Sequence, residues 1–123
     1  MVNVTLSIPN ELKQKMDCYV HSVYDATKKF PKCERYGVTS QLQRSALSVI
    51  LNYIEGYARK KIPVRINFLE ISFGSLQESK YLLKFSLAEG YMRDEQFQIL
   101  DDLSNEISKI LWSETSTLSK NNQ

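Results

Sequence analysis

Five side chains near the middle of the chain, Gln41, Arg44, Ser48, Asn52 and Glu55, follow one another at steps of three, four, four and three. On a helix that spacing puts them along one face. An acid, a base, two amides and a hydroxyl in a row invite a catalytic reading, but general acid–base or nucleophilic work needs a second, matched group. For Glu55, or for Glu78 further on, the sequence names none. The one histidine, His21, has no Glu-x-x-His context of the kind that builds a di-metal site in a bundle, and reads as a partly exposed or satisfied core histidine. Cys18 and Cys33 match no metal spacing and are too few for a disulfide framework. No Gly-rich phosphate loop or nucleophile elbow is present. The expectation is a protein that is not an enzyme and carries neither cofactor nor metal.

A buried charge must be paired and hydrogen-bonded. Arg44 and Glu55 are 11 residues apart, roughly 16 Å along a helix, and cannot pair with each other. Glu78 and Lys80 are the available partners: antiparallel packing would bring Glu78 to Arg44 or Lys80 to Glu55. Two readings of the row stay open, a buried polar network that fixes helix register and a face turned toward another subunit.

The elements that position these residues are helical. Residues 10–29 place Leu12, Met16, Tyr19, Val23, Ala26 and Phe30 on a heptad-like seam, closed by Phe30-Pro31. Residues 36–61 form the second helix, started by Gly37 with Thr39 or Ser40 and ended by a basic run, Arg59, Lys60 and Lys61, in its last turn. Beside its polar row runs an apolar stripe of Leu42, Ala46, Val49, Tyr53 and Ala58, widened by Leu47, Ile50 and Ile54. Gly56 within it predicts close approach of a neighbouring helix. The third helix, residues 63–88, carries Ile62, Ile66, Leu69, Phe73, Leu76, Leu83 and Leu87 with Lys80 in the same seam, and Gly74 and Ser75 suggest tight contact. Gly90 suits its C-terminal stop. The fourth begins at Asp94 and Glu95 and fades beyond Trp112. Four helices with short connections make an all-α, antiparallel up-down-up-down bundle of residues 9–118, with a polar tail at 119–123.

Ahead of the bundle, residues 2–8 alternate Val2, Val4, Leu6 and Ile8 with polar residues, the pattern of a short strand, so residues 1–8 read as an N-terminal β-strand or arm. VTLSIPNELKQKMD resembles the opening of a ribbon-helix-helix DNA-binding protein, which would use residues 2–17, although no short second helix follows.

Composition is ordinary for a globular domain, 42% apolar and 24% charged over 123 residues. With no long apolar run and no secretory signal pattern, the reading is a single cytoplasmic domain with no membrane partner. The net charge is only +2, but residues 28–65 hold nine Lys/Arg against two acids, a local balance of +7. In the bundle this charge divides between one end, with Lys28, Lys29, Lys32 and Arg35, and the other, with Arg59, Lys60, Lys61 and Arg65. Each cluster is a candidate for an anionic, nucleic-acid partner. Single strands would also want exposed aromatics. Tyr36, Tyr53 and Tyr57 are the nearest, and they read as core or interface.

The stretches FPKCERYGVTSQLQRSALSVILNYIEGYARK, NFLEISFGSLQES, LAEGYM and EISKILW together resemble the four-helix-bundle family of 23S rRNA intervening-sequence proteins, which shares its fold group with accessory variability proteins of diversity-generating retroelements. Phe30, Pro31, Glu34, Tyr36, Gly37, Thr39, Ser40, Gln41, Leu42, Arg44, Ser48, Asn52, Glu55 and Gly56 fit the pattern, as do Phe68, Leu69, Gly74, Ser75, Leu76 and Glu78. Val49-Ile50 replace the family's Ile-Pro, and Ile54 replaces an alanine. The resemblance implies a homo-oligomer, commonly a pentameric ring with a central channel. It also implies a link to RNA (or RNA/DNA) or, alternatively, a scaffold role for the reverse transcriptase of a retroelement, without established catalysis. On this reading the polar row with Glu78 and Lys80 belongs to the bundle's network or its oligomer interface.

Overall fold

A computed structural model of the chain describes residues 10–122. Among them lie four α-helices, α1 (Glu11–Thr27), α2 (Val38–Tyr57), α3 (Ile62–Ala88) and α4 (Asp94–Asn121), with a short 3-10 turn at Lys32–Glu34. The strand expected at residues 2–8, and with it the opening of the ribbon-helix-helix likeness, lies outside the described residues. Each helix packs on its neighbours in sequence, and α1 packs on α4. Asn10, Tyr53 and Glu114 meet at one end, and Phe30, Glu34 and Tyr91 meet at the other. Successive helices therefore alternate in direction.

α1 starts where Asn10, in an extended conformation, accepts the Lys13 amide on its Oδ1 at 2.7 Å, an N-cap worth ~1 kcal/mol. Its expected seam is the buried one: Leu12, Met16, Tyr19, Val23, Ala26 and Phe30 are all in the core.

α2 starts differently from the expectation. Neither Thr39 nor Ser40 caps it; the Glu34 carboxylate accepts the Val38 amide on Oε1 at 3.2 Å and the Tyr91 hydroxyl on Oε2 at 2.7 Å. A Cβ on Gly37 would stand 2.6 Å from that Oε1, so glycine is what lets the carboxylate reach the helix end. The far end also differs. α2 stops at Tyr57, and Arg59, Lys60 and Lys61 fall in the connection instead of the last turn. The terminating groups come from α3: Arg65 donates from Nε to the Gly56 carbonyl at 3.3 Å and from Nη2 to the Arg59 carbonyl at 2.7 Å.

α2 and α3 lie close together. A Cβ on Gly56 would sit 3.2 Å from the Arg65 carbonyl oxygen, from Leu69 Cδ2 and from Phe68 Cβ. Ser72 and Ser79 are seven apart and fully buried: Ser72 Oγ donates to the Val49 carbonyl of α2 at 2.6 Å, and Ser79 Oγ lies 2.7 Å from the Tyr19 hydroxyl of α1. α3 ends as its glycine predicts. Gly90 has φ +80, its amide bonds the Leu87 carbonyl and the Tyr91 amide bonds that of Ser86, the paired bonds of a Schellman stop. α4 runs on to Asn121, through residues that read as a polar tail. Leu118 packs against the core there, and Lys120 stands in the last turn, where a cation suits the helix dipole.

Candidate functional site

The polar row of α2 lies on the outside of the single chain. Gln41 and Arg44 are exposed, and Ser48, Asn52 and Glu55 are half-buried. Ser48 Oγ is 2.8 Å from Ser75 Oγ on α3, and Asn52 Nδ2 donates to both the Ser48 hydroxyl and its carbonyl. Glu55 pairs with Arg59 at 2.7 Å. Arg44 and Glu78 line one groove of about 420 Å³ between the two helices, with Gln41, Ser48 and Ser75, yet they form no ion pair there. Lys80 goes elsewhere, to Asn105 on α4 at 2.6 Å. The expected Glu78–Arg44 and Lys80–Glu55 pairs are thus not made: the first two stop short of contact, and the second two each have a nearer partner.

Part of the apolar stripe is also outside. Leu42, Ala46, Val49, Ile50 and Tyr53 are core, but Leu47, Ile54 and Ala58 are exposed. Leu51 is 53% exposed, and on α3 so is Ile71 at 44%. A Cβ on Gly74 would meet nothing within 4 Å, so of the tight contact expected at Gly74 and Ser75 only the Ser75 part is made inside the chain. Polar and apolar residues together leave an α2–α3 face that the monomer does not cover.

The two basic ends differ in what their cations do. Arg59 stands over the Phe68 ring at 5.2 Å besides holding Glu55. Arg65, besides its two carbonyls, lies 4.9 Å from the Tyr57 ring centroid. At the other end Lys28 pairs with Asp25 and Arg35 lies over Tyr36. Lys29, Lys32, Lys60 and Lys61 make no hydrogen bond or ion pair among the described residues. Tyr53 is core and Tyr57 partly covered, but Tyr36 is 88% exposed and is not a core tyrosine.

Beneath the Arg59–Arg65 end, Glu114 Oε1 accepts both the Tyr53 and the Tyr57 hydroxyls, at 2.7 and 2.8 Å. Burial, and then the hydrogen bond to that carboxylate, push the Tyr57 phenol up to about 12, and the same causes raise Tyr53 further. His21 is exposed and 3.4 Å from Asp17. Both cysteines are free and exposed. Among the described residues no group of three or more His, Cys, Asp or Glu could hold a metal ion, and no helix is long and apolar enough to cross a membrane. A cleft of about 330 Å³ between α3 and α4, walled by Ile66, Glu70, Phe73 and Trp112, had no sequence signal beyond the lone tryptophan.

The family model described as 23S rRNA-intervening sequence protein matches residues 9–113. The chain belongs to the 23S rRNA-intervening sequence protein family. A solved structure of similar fold, with TM-score 0.76, is a protein of unknown function from the S23 ribosomal protein family of Bacteroides thetaiotaomicron. It is 23% identical, covering 85% of this chain and 97% of that one. A comparison with curated proteins found no match. Several residues through which this chain resembles the intervening-sequence family have structural work here. Glu34 and Gly37 build the start of α2, Gly56 permits the α2–α3 approach, and Ser48 with Ser75 joins the two helices. Gln41, Arg44, Gly74 and Glu78 have no such work within the chain.

Proposed function

We propose that this chain is a non-enzymatic accessory protein that assembles with copies of itself and associates with nucleic acid, RNA or RNA/DNA. The observation that carries the reading is the uncovered α2–α3 face, where Leu51 and Ile71 stand in solvent beside an unpaired Arg44 and an unpaired Glu78. Exposed apolar side chains next to an unsatisfied cation and anion fit a head-to-tail contact, in which Arg44 of one copy meets Glu78 of the next. The ring of five implied by the family resemblance is one closed arrangement of such contacts. Each copy adds the unpaired Lys29, Lys32, Lys60 and Lys61 to the assembly, and repetition turns two small patches into a field that attracts phosphates.

Fluorescence polarisation of labelled RNA and DNA against the purified assembly, over a salt series, tests the nucleic-acid half. Binding should weaken steeply as salt rises; no salt-sensitive binding to any strand removes that half of the reading. A stable complex of unlike chains in place of self-assembly would favour the reverse-transcriptase scaffold instead.

A further inference from the structure

The α1–α2 corner holds side chains that the fold does not use. Tyr36 is the most exposed of the large apolar and aromatic residues described. The Arg35 guanidinium lies 5.6 Å from its ring centroid. Lys28, Lys32, Arg35, Tyr36 and Thr39 together line a cleft of about 540 Å³. Thr39 Oγ1 is buried in this lining and is the one buried side-chain polar atom among the described residues without a hydrogen-bond partner. Its neighbour across the cleft, Thr27, is satisfied, donating to the Tyr24 carbonyl and accepting from Gln43. Asp25 is engaged by Lys28, and Glu34 by the Val38 amide and the Tyr91 hydroxyl. Lys32 is left with no counter-charge.

Three cations and an exposed aromatic ring make a complementary set for a phosphate joined to a flat base. We propose that this corner binds single-stranded nucleic acid: one base stacks on Tyr36, and the adjoining phosphate accepts from Lys32, Lys28 and Arg35. This rests on the nucleic-acid reading above and gives it a place. A duplex keeps its base faces inside its own stack and cannot offer one to Tyr36, so the corner selects unpaired strands.

The test is polarisation of a labelled ten-nucleotide RNA with the full-length chain, alone and against a duplex of the same sequence. A nucleoside monophosphate and inorganic phosphate serve as competitors at fixed ionic strength. Tyr36→Ala should weaken single-strand binding about tenfold or more while Tyr36→Phe keeps it, since stacking needs the ring and not the hydroxyl. Lys32→Ala should lower the slope of log affinity against log salt by about one phosphate contact. The nucleotide should compete better than phosphate. Thermal melts of both Tyr36 variants should match the parent, because the side chain is outside the core. If the parent binds RNA but Tyr36→Ala and Lys32→Ala bind as it does, or if duplex or bare phosphate competes as well as the strand, the corner is not the site, and the wider nucleic-acid reading stands without it. If the parent binds no strand at any salt, both fall.

Discussion

At the end where α2 meets α3, Arg65 holds two backbone carbonyls and covers Tyr57, and Arg59 holds Glu55 and covers Phe68. At the end where α1 meets α2, the capping is done by a carboxylate, Glu34, while Lys28 pairs with Asp25, Arg35 lies over Tyr36, and Lys29 and Lys32 are left without a partner. Two clusters of nearly equal charge in the sequence therefore do different things. One spends its arginines on ending a helix, where planar, multi-donor guanidinium groups suit carbonyls and aromatic faces. Both ends leave two lysines unpaired, but the other caps its helix with a carboxylate and sets a tyrosine 88% exposed beside its cations. A count of basic residues does not separate the two; the partner of each cation does.

This contrast can be broken by substitution. The largest effect is expected at the α2–α3 junction itself, where Gly56→Leu must push Phe68, Leu69 and the Arg65 carbonyl apart. A cost of about 3 kcal/mol, read as a lower urea midpoint at unchanged slope, is the expected outcome. Arg65→Met keeps the apolar stem but frees two carbonyls and should cost about 2 kcal/mol by the same measurement. Lys32→Met at the opposite end should stay within about 0.5 kcal/mol of the parent. Equal losses at Arg65 and Lys32 would erase the distinction between the ends.

Alkaline pH sharpens the comparison. The Tyr57 phenol is raised from 10.0 to about 12 by burial and by Glu114, and Tyr91 is raised to about 12 by its hydrogen bond to Glu34 and by burial. Between those values the unfolded chain has released protons that the folded chain still holds. Stability is therefore fully present below about pH 10 and falls as pH rises through 12. Glu114→Gln removes the negative charge beside Tyr53 and Tyr57, and should flatten that fall in urea titrations at pH 10 to 12. An unchanged fall would place the alkaline sensitivity elsewhere.

Much of the fold was legible in the sequence because the residues that signal it act locally or at fixed period. The seam of α1, the Asn10 start, the Gly56 approach and the Gly90 stop all lie where their types put them. The misreadings share a cause, which is that the deciding partner is distant. Arg59, Lys60 and Lys61 look like a helix's last turn until Arg65 supplies the end of α2 from the next helix. Thr39 looks like a cap until Glu34 takes that part. Ser72 and Ser79 carry no hydrophobic signal, and only their seven-residue spacing hints at a packed seam. Leu47, Leu51 and Ile54 have the composition of core and the position of surface, and residue type cannot tell an inner face from an outer one. The candidate site was legible as a polar row and two basic runs, and which of their members are free is a property of the packed chain.

The uncovered α2–α3 face is tested by the mass of the protein in solution. Light scattering coupled to size exclusion gives the mass directly. The account predicts a multiple of 14.3 kDa for the parent, five copies if the ring closes as the resemblance implies. The double variant Leu51→Asp, Ile71→Asp should fall to one copy with its helical circular dichroism intact. A parent that elutes as a folded 14.3 kDa monomer at micromolar concentration would contradict it.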